Sequence, residues 1–124
     1  MPPPPGFFQR FPMRQVGSAD LDAVLAAPDR GTLDILFLWG RDCPNCDLAK
    51  HALLARPGEF TWPGVRWLHG NVYDDFELAN RFGLHGIPVF LVFRQGRLRG
   101  RITSWPGAEP FRAAIDRQLA EARA

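Results

Sequence analysis

Cys43-Pro44-Asn45-Cys46 contains both cysteines of the chain, and no other side chains are as well suited to covalent chemistry. The thiolate is the nucleophilic form of cysteine, and two thiols at this spacing can close and reopen a disulfide. The outcome turns on which of them ionises. Cys43 falls at the N-cap of the following helix and Pro44 at its first position, where a missing N–H costs nothing. Unpaired N–H groups and the helix dipole at such an end, completed by Asn45, favour an anion. Thiolates so placed have pKa values of about 3.5–7.5, against about 8.5 unperturbed. Cys43, exposed at the helix tip, is therefore the attacking sulfur. Cys46, one turn further in, resolves the mixed disulfide.

These positions need a rigid frame, and the hydrophobic pattern supplies one. Leu33–Trp39 is apolar apart from Asp34, which suits a strand buried on both faces, and it runs directly into Gly40-Arg41-Asp42-Cys43. Leu48, Ala49, Ala52 and Leu53 then recur at helical spacing. Upstream, Met13–Val16 reads as a short strand. Ser18 is placed to cap a helix with Asp20 and Asp22 in its first turn, Leu21, Val24 and Leu25 as its stripe, and Pro28 as its stop. Downstream, Pro57–Gly64 is turn-rich and Val65–Val72 reads as a second buried strand. A capping-box spacing at Asp74–Glu77 opens a helix that Gly83 ends. Val89–Phe93 and Leu98–Ile102 flank Gln95-Gly96 as a hairpin, and a last helix begins near Pro110 with Phe111, Ile115 and Leu119 on one face. Parallel strands need crossover helices and antiparallel ones a tight turn. The order therefore predicts an α/β protein with a mixed sheet covered by helices on both faces.

Composition narrows the classes. At 124 residues the chain fits one domain, and 46% hydrophobic residues can bury a core. Residues 1–12, with four consecutive prolines, read as a Pro-rich irregular leader, and 13–124 as the domain. A net charge of +2 gives no ground for nucleic-acid binding. The basic residues are arginines except Lys50; Arg97, Arg99 and Arg101 make one face of a strand basic, as on protected sheet edges. No apolar run approaches the roughly 20 residues that span a bilayer, and the leader lacks the apolar stretch of a secretory signal. The expected location is the cytoplasm. Paired cysteines in a reducing compartment point to catalysis or metal rather than to structural stapling.

The motifs together resemble the thioredoxin family. Trp39 stands four residues before Cys43, as the family's tryptophan does before its active site. Gly86-Ile87-Pro88 matches the loop whose cis-proline lies against the cysteine pair, and Val89–Phe93 with the Arg94-Gln95-Gly96 turn matches the family's next strand and turn. The similarity covers residues 13 to 122. It implies the thioredoxin fold, a cis Pro88, and a client groove shaped by Trp39, Asp42, Ile87, Pro88 and Trp105. It further implies a redox-active dithiol with no dissociable cofactor and no metal. The implied partners are client proteins with disulfides and a flavin-dependent thioredoxin reductase that recharges the pair. The implied protein is a monomer.

Three departures qualify the resemblance. Pro-Asn separates the cysteines where the common thioredoxin has Gly-Pro, and proline after the first cysteine is similar to glutaredoxins, although the glycine pair with which those contact glutathione is not evident. Phe37 stands where many thioredoxins carry a buried aspartate, and His69 where they carry its lysine, so His69 is the candidate for any proton relay. Asp42 replaces a second tryptophan, and Asp47 replaces a common lysine. Negative charge there opposes the helix dipole, unless Asp47 is a solvated helix edge paired with Lys50 or His51.

The reading is a thiol–disulfide oxidoreductase reducing protein disulfides through Cys43 and Cys46. A glutathione-dependent reductase, or a disulfide oxidase or isomerase, would use the same dithiol. A non-enzymatic adaptor would keep only the fold. A metal site would draw on Cys43, Cys46, His51 and either His69 or His85, a spacing that fits no familiar finger.

Overall fold

The computed structural model describes residues 1–123. Ala124, the last residue of the expected 13–124 domain, lies outside them. Five strands form one sheet in the order β1-β3-β2-β4-β5: β1 Arg14–Gln15, β2 Leu33–Trp39, β3 Val65–Asn71, β4 Val89–Arg94 and β5 Arg97–Thr103. β1 and β2 both run parallel to β3, whereas β4 is antiparallel to β2 and to β5. The helices are α1 Phe7–Arg10, α2 Leu21–Ala26, α3 Pro44–Ala55, α4 Phe76–Phe82 and α5 Ala108–Arg123, with a 3-10 turn at Pro57–Phe60.

Alternation along β2 divides the interior in two. Leu33, Ile35 and Phe37 point into a cluster that includes Leu53 of α3, Phe60, and Phe111, Ile115 and Leu119 of α5. Leu36 and Leu38 point the other way, onto Leu21, Val24 and Leu25 of α2 and Leu78 of α4. Both faces of β2 are thus covered, as its unbroken apolar run requires. The tight β4–β5 turn is Gln95-Gly96, both residues at positive φ. Among the described residues no helix is long and apolar enough to cross a membrane.

The leader departs from expectation. Residues 1–12 do not remain irregular: Gly6, at φ 63°, turns the chain into α1, and Phe7 and Phe11 enter the core. The two rings stand one helical turn apart and stack at 5.9 Å, and Phe11 packs edge-on to Trp67. Burial of an aromatic side chain is worth more than the chain entropy that a proline-restricted segment has left to lose. A second correction concerns α2, whose N-cap is Asp20, not Ser18. The Ser18 N–H instead donates to Asp75 at 2.7 Å, and this bond holds the Asp75 carboxyl below its usual range. Asp75 is the N-cap of α4, but its carboxylate is turned mainly to Ser18, and the Glu77 and Leu78 N–H groups of the helix contribute less to holding its pKa down.

Candidate functional site

The site lies where β2 hands over to α3. Gly40 leaves the strand at a point where a Cβ would sit 2.6 Å from the Tyr73 ring and 2.8 Å from Cδ1 of Ile87. Only glycine lets these two side chains close around the loop. Asp42 follows at φ 55°, exposed and in the left-handed region. Cys43 is then extended and caps α3, with Pro44 at the first helical position. Pro44 and Asn45 are exposed.

Cys43 and Cys46 form a disulfide. The Cys46 N–H donates to Cys43 Sγ at 3.1 Å, so one of the free donors of the helix terminus is aimed at the first sulfur. Cys43 is not exposed as expected. It keeps 8% of its surface against 0% for Cys46. The covering element is the loop before β4: the Ile87–Pro88 bond is cis, and the Ile87 carbonyl oxygen lies 3.7 Å from Cys43 Sγ. The Pro88 carbonyl accepts from Ser104 N–H at 2.8 Å, tying this loop to the end of β5. Ile87 and Pro88 also border a cavity of about 220 Å³ running along Leu84–Val89 to Ser104.

Trp39 is half-buried, and its indole N–H donates to His69 Nδ1 at 3.2 Å. His69 is in register with Phe37 across the β2–β3 ladder, and Phe8 stacks on its ring at 3.8 Å. Burial, and then the nearby Lys50 charge, push the His69 pKa down to about 4. A neutral imidazole that accepts from Trp39 is a weak base near neutral pH. The proton-relay expectation for His69 therefore finds a residue committed to Trp39, and no bond from it to either cysteine is present among the described residues. Phe37 is fully buried and stacks on Phe90 at 5.0 Å, so no carboxylate approaches from that position.

One residue is placed and one further expectation is corrected. Trp105 is half-buried and packs on Phe60, Phe90 and Phe111 at ring distances of 6.0, 6.0 and 5.2 Å. Its large ring finds apolar surface under α5. Asp47 is not a solvated edge but is buried on the inner side of α3, and it makes no ion pair with Lys50 or His51. His51 bonds the Pro2 carbonyl instead. The alternative metal set does not assemble: among the described residues no three His, Cys, Asp or Glu side chains come together to hold an ion.

Sequence reasoning missed four residues here. Lys50 is buried, with its ammonium 3.9 Å above the Trp39 ring and 5.5 Å from that of Phe8. Phe8 closes this pocket from α1. Tyr73 and Phe76 are exposed apolar groups lining, with Ile87, a second shallow cavity of about 170 Å³. Two signals pointed to Lys50: it is the single lysine among the basic residues, and it stands four positions after Cys46.

No protein-family model and no curated protein matches the sequence. Solved structures do match. A single-residue variant of thioredoxin from Halobacterium salinarum superposes with a TM-score of 0.70 at 17% identity, over 86% of this chain and 90% of that one. Thioredoxin f2 of Chlamydomonas reinhardtii gives 0.72 at 20% identity, over 86% and 95%. The chain has the thioredoxin fold, with a C-x-x-C pair closed as a disulfide at the start of α3.

Proposed function

We propose that the protein is a thiol–disulfide oxidoreductase that reduces disulfides of client proteins through Cys43 and Cys46. The observation that carries this reading is the Cys46 N–H directed at Cys43 Sγ at the N-terminus of α3, beneath the cis Ile87–Pro88 loop. In the reduced protein that donor and the helix dipole stabilise a Cys43 thiolate. The thiolate attacks one sulfur of a client disulfide, a Cys43–client bond forms, and the other client sulfur leaves as a thiolate and takes a proton. Cys46 then loses its proton and attacks Cys43 Sγ. The Cys43–Cys46 bond closes and the second client sulfur departs, so two electrons have passed from the dithiol to the client.

The chain supplies the binding surface as well. The Ile87 backbone next to Cys43 suits an extended client segment added as a strand, and Tyr73 and Phe76 offer it apolar contact on one side. Electrons reside on the sulfurs, so the reaction needs no dissociable cofactor but does need an external dithiol donor. By the thioredoxin resemblance that donor is a flavin-dependent thioredoxin reductase, and the protein works as a cytoplasmic monomer.

The test uses three forms. Wild type should turn over a protein disulfide with the reductase and its nicotinamide donor. Cys46→Ser should accumulate a client mixed disulfide on Cys43, and Cys43→Ser should do neither. In the reduced wild type, brief iodoacetamide labelling followed by mass spectrometry should modify Cys43 well before Cys46. Turnover surviving in Cys43→Ser would remove this reading. Reduction by glutathione alone, with none by the reductase, would assign the dithiol to a glutathione-dependent enzyme.

A further inference from the structure

The second half of that reaction finds no free base at the two strand positions, 37 and 69, where the resemblance looked for a proton relay. Cys46 must lose a proton to attack, burial disfavours its thiolate, and the neighbouring positions hold Phe37, which has no titratable group, and His69, which is bonded to Trp39. Lys50 stands one helical turn from Cys46 on the buried side of α3, and side chains at this spacing are neighbours. Its side chain is held by rings from two other elements, Trp39 at 3.9 Å from β2 and Phe8 at 5.5 Å and Phe7 at 5.9 Å from α1.

We propose that Lys50 is a positioning residue for the resolving step, its clamped ammonium stabilising the Cys46 thiolate that attacks the Cys43 mixed disulfide. The proposal rests on the oxidoreductase reading above and names a residue that serves it. Three facts support it. The lysine keeps only 6% of its surface, yet no carboxylate pairs with it among the described residues. A charge without an ion pair in such a place costs stability, so its presence points to a use other than stability. The aromatic clamp also restricts where the ammonium can go, because a cation is drawn to ring faces.

Other groups set its surroundings. Among the described residues Asp47 on α3 is the carboxylate whose field reaches Lys50, and burial outweighs it, lowering the lysine pKa. His69 on β3 is the other titratable neighbour, and it is neutral near pH 7. From β2 and α1 come rings only, since Asp34 is bound to Arg66 and Arg10 is exposed. Asp47 is adjacent to Cys46 and one turn from Cys43, so its carboxylate opposes a thiolate at either sulfur, and the Lys50 ammonium, one turn from Cys46, acts against it there. In the resolving step the proton of Cys46 passes to solvent, the Cys46–Cys43 bond forms, the Cys43–client bond breaks, and the client thiolate leaves.

Stopped-flow release of a fluorescent peptide from the Cys43 mixed disulfide, followed across pH, tests the assignment. Lys50→Met keeps the length and apolar stem and removes the charge. It should slow release about tenfold at pH 7 and move the midpoint of the pH profile up by about one pH unit. Lys50→Arg, which retains the charge, should stay near wild type. Lys50→Gln repeats the neutral arm with a polar group that is easier to fold. Slower release by the same factor at every pH, or neutral variants with the wild-type profile, would overturn the proposal. Failure of the wild type to form the mixed disulfide at all would instead overturn the oxidoreductase reading.

Discussion

Strands β2 and β3 carry buried polar side chains at both ends of their shared ladder, and the two ends treat them in opposite ways. At the end far from the cysteines, Asp34 and Arg66 face each other in register, and Arg66 Nε donates to the carboxylate at 2.7 Å. Gly31 N–H adds a second bond to Asp34 at 3.1 Å, and Arg66 Nη2 reaches the Val24 carbonyl at 2.9 Å. Arg66 Nε and Nη2 are both hydrogen-bonded there, and Nη1, which makes no hydrogen bond, lies 3.7 Å from the Asp29 carboxylate. At the cysteine end the same ladder pairs Phe37 with His69, and the nearby cation is Lys50, held by aromatic faces and, among the described residues, in no ion pair, with Asp47 reaching it only through its field. A matched pair locks the register of two strands, whereas an unmatched cation keeps its field available to whatever becomes negative beside it. The difference separates a structural use of buried charge from a chemical one.

The largest effect should come from breaking the matched end. Arg66→Met leaves Asp34 buried without its partner, and such losses cost about 3–5 kcal/mol. Urea denaturation should show this drop with the slope unchanged, while activity per folded molecule stays near wild type. A cost below about 1 kcal/mol would mean that the pair contributes little and that the contrast between the ends is false.

Next comes pH. The folded His69 pKa of about 4 lies below the ordinary 6.5, so the unfolded chain binds the proton more readily. The stability associated with neutral His69 is therefore complete above pH 6.5 and is lost as pH falls from there through 4. The loss should be about 2 kcal/mol, allowing for residual contact with water. His69→Gln should flatten this part of the stability profile, measured by denaturant midpoints at pH 7 and pH 4. An identical acid limb in the variant would show that the imidazole is not desolvated in this way. Close behind, Gly40→Ala should cost about 1 kcal/mol, the low end for overpacking, because the exposed Tyr73 ring can turn away from the new methyl group. Its client affinity should fall more than its stability, and a fall in stability alone would separate Tyr73 from the client surface.

Much of this frame was legible in the residues. β2 spans Leu33–Trp39 as its apolar run requires, and Cys43 and Pro44 take the cap and first position that their types favour. The β4–β5 turn follows from Gln95-Gly96 and the end of α4 from Gly83, because few residues tolerate positive φ. The leader was not legible: four prolines dominate its composition, while the one-turn spacing of Phe7 and Phe11 that docks it involves two residues only. The buried side of α3 was not legible either. Helical spacing places Leu48 on the apolar stripe, but it is exposed, and Asp47 and Lys50 take inner positions instead. Polarity of a residue type does not reveal which rings will cover it when they come from distant segments of the chain. The chemistry of the site behaved likewise. The two sulfurs were evident from spacing, whereas the cation over Trp39 depends on how α1 folds back.

The smallest effect is the most telling about the contrast. If Lys50 were a structural charge of the Asp34–Arg66 kind, removing it would cost several kcal/mol. Lys50→Met instead abolishes an unpaired buried charge, which relieves desolvation, and forfeits the attraction to Trp39, worth about 0.5–2 kcal/mol. The methionine fills the same channel between Phe7, Phe8 and Trp39, and its sulfur packs well against aromatic edges. These terms oppose one another, so the net change in stability should lie within about 1 kcal/mol of zero. It should also leave His69 easier to protonate, since the Lys50 charge is one of the two causes holding the imidazole neutral. Denaturation at pH 7 gives the first quantity, and the His69 proton resonance followed from pH 7 to pH 3 gives the second. A loss above about 3 kcal/mol with an unmoved His69 titration would place Lys50 with Arg66 as a structural charge.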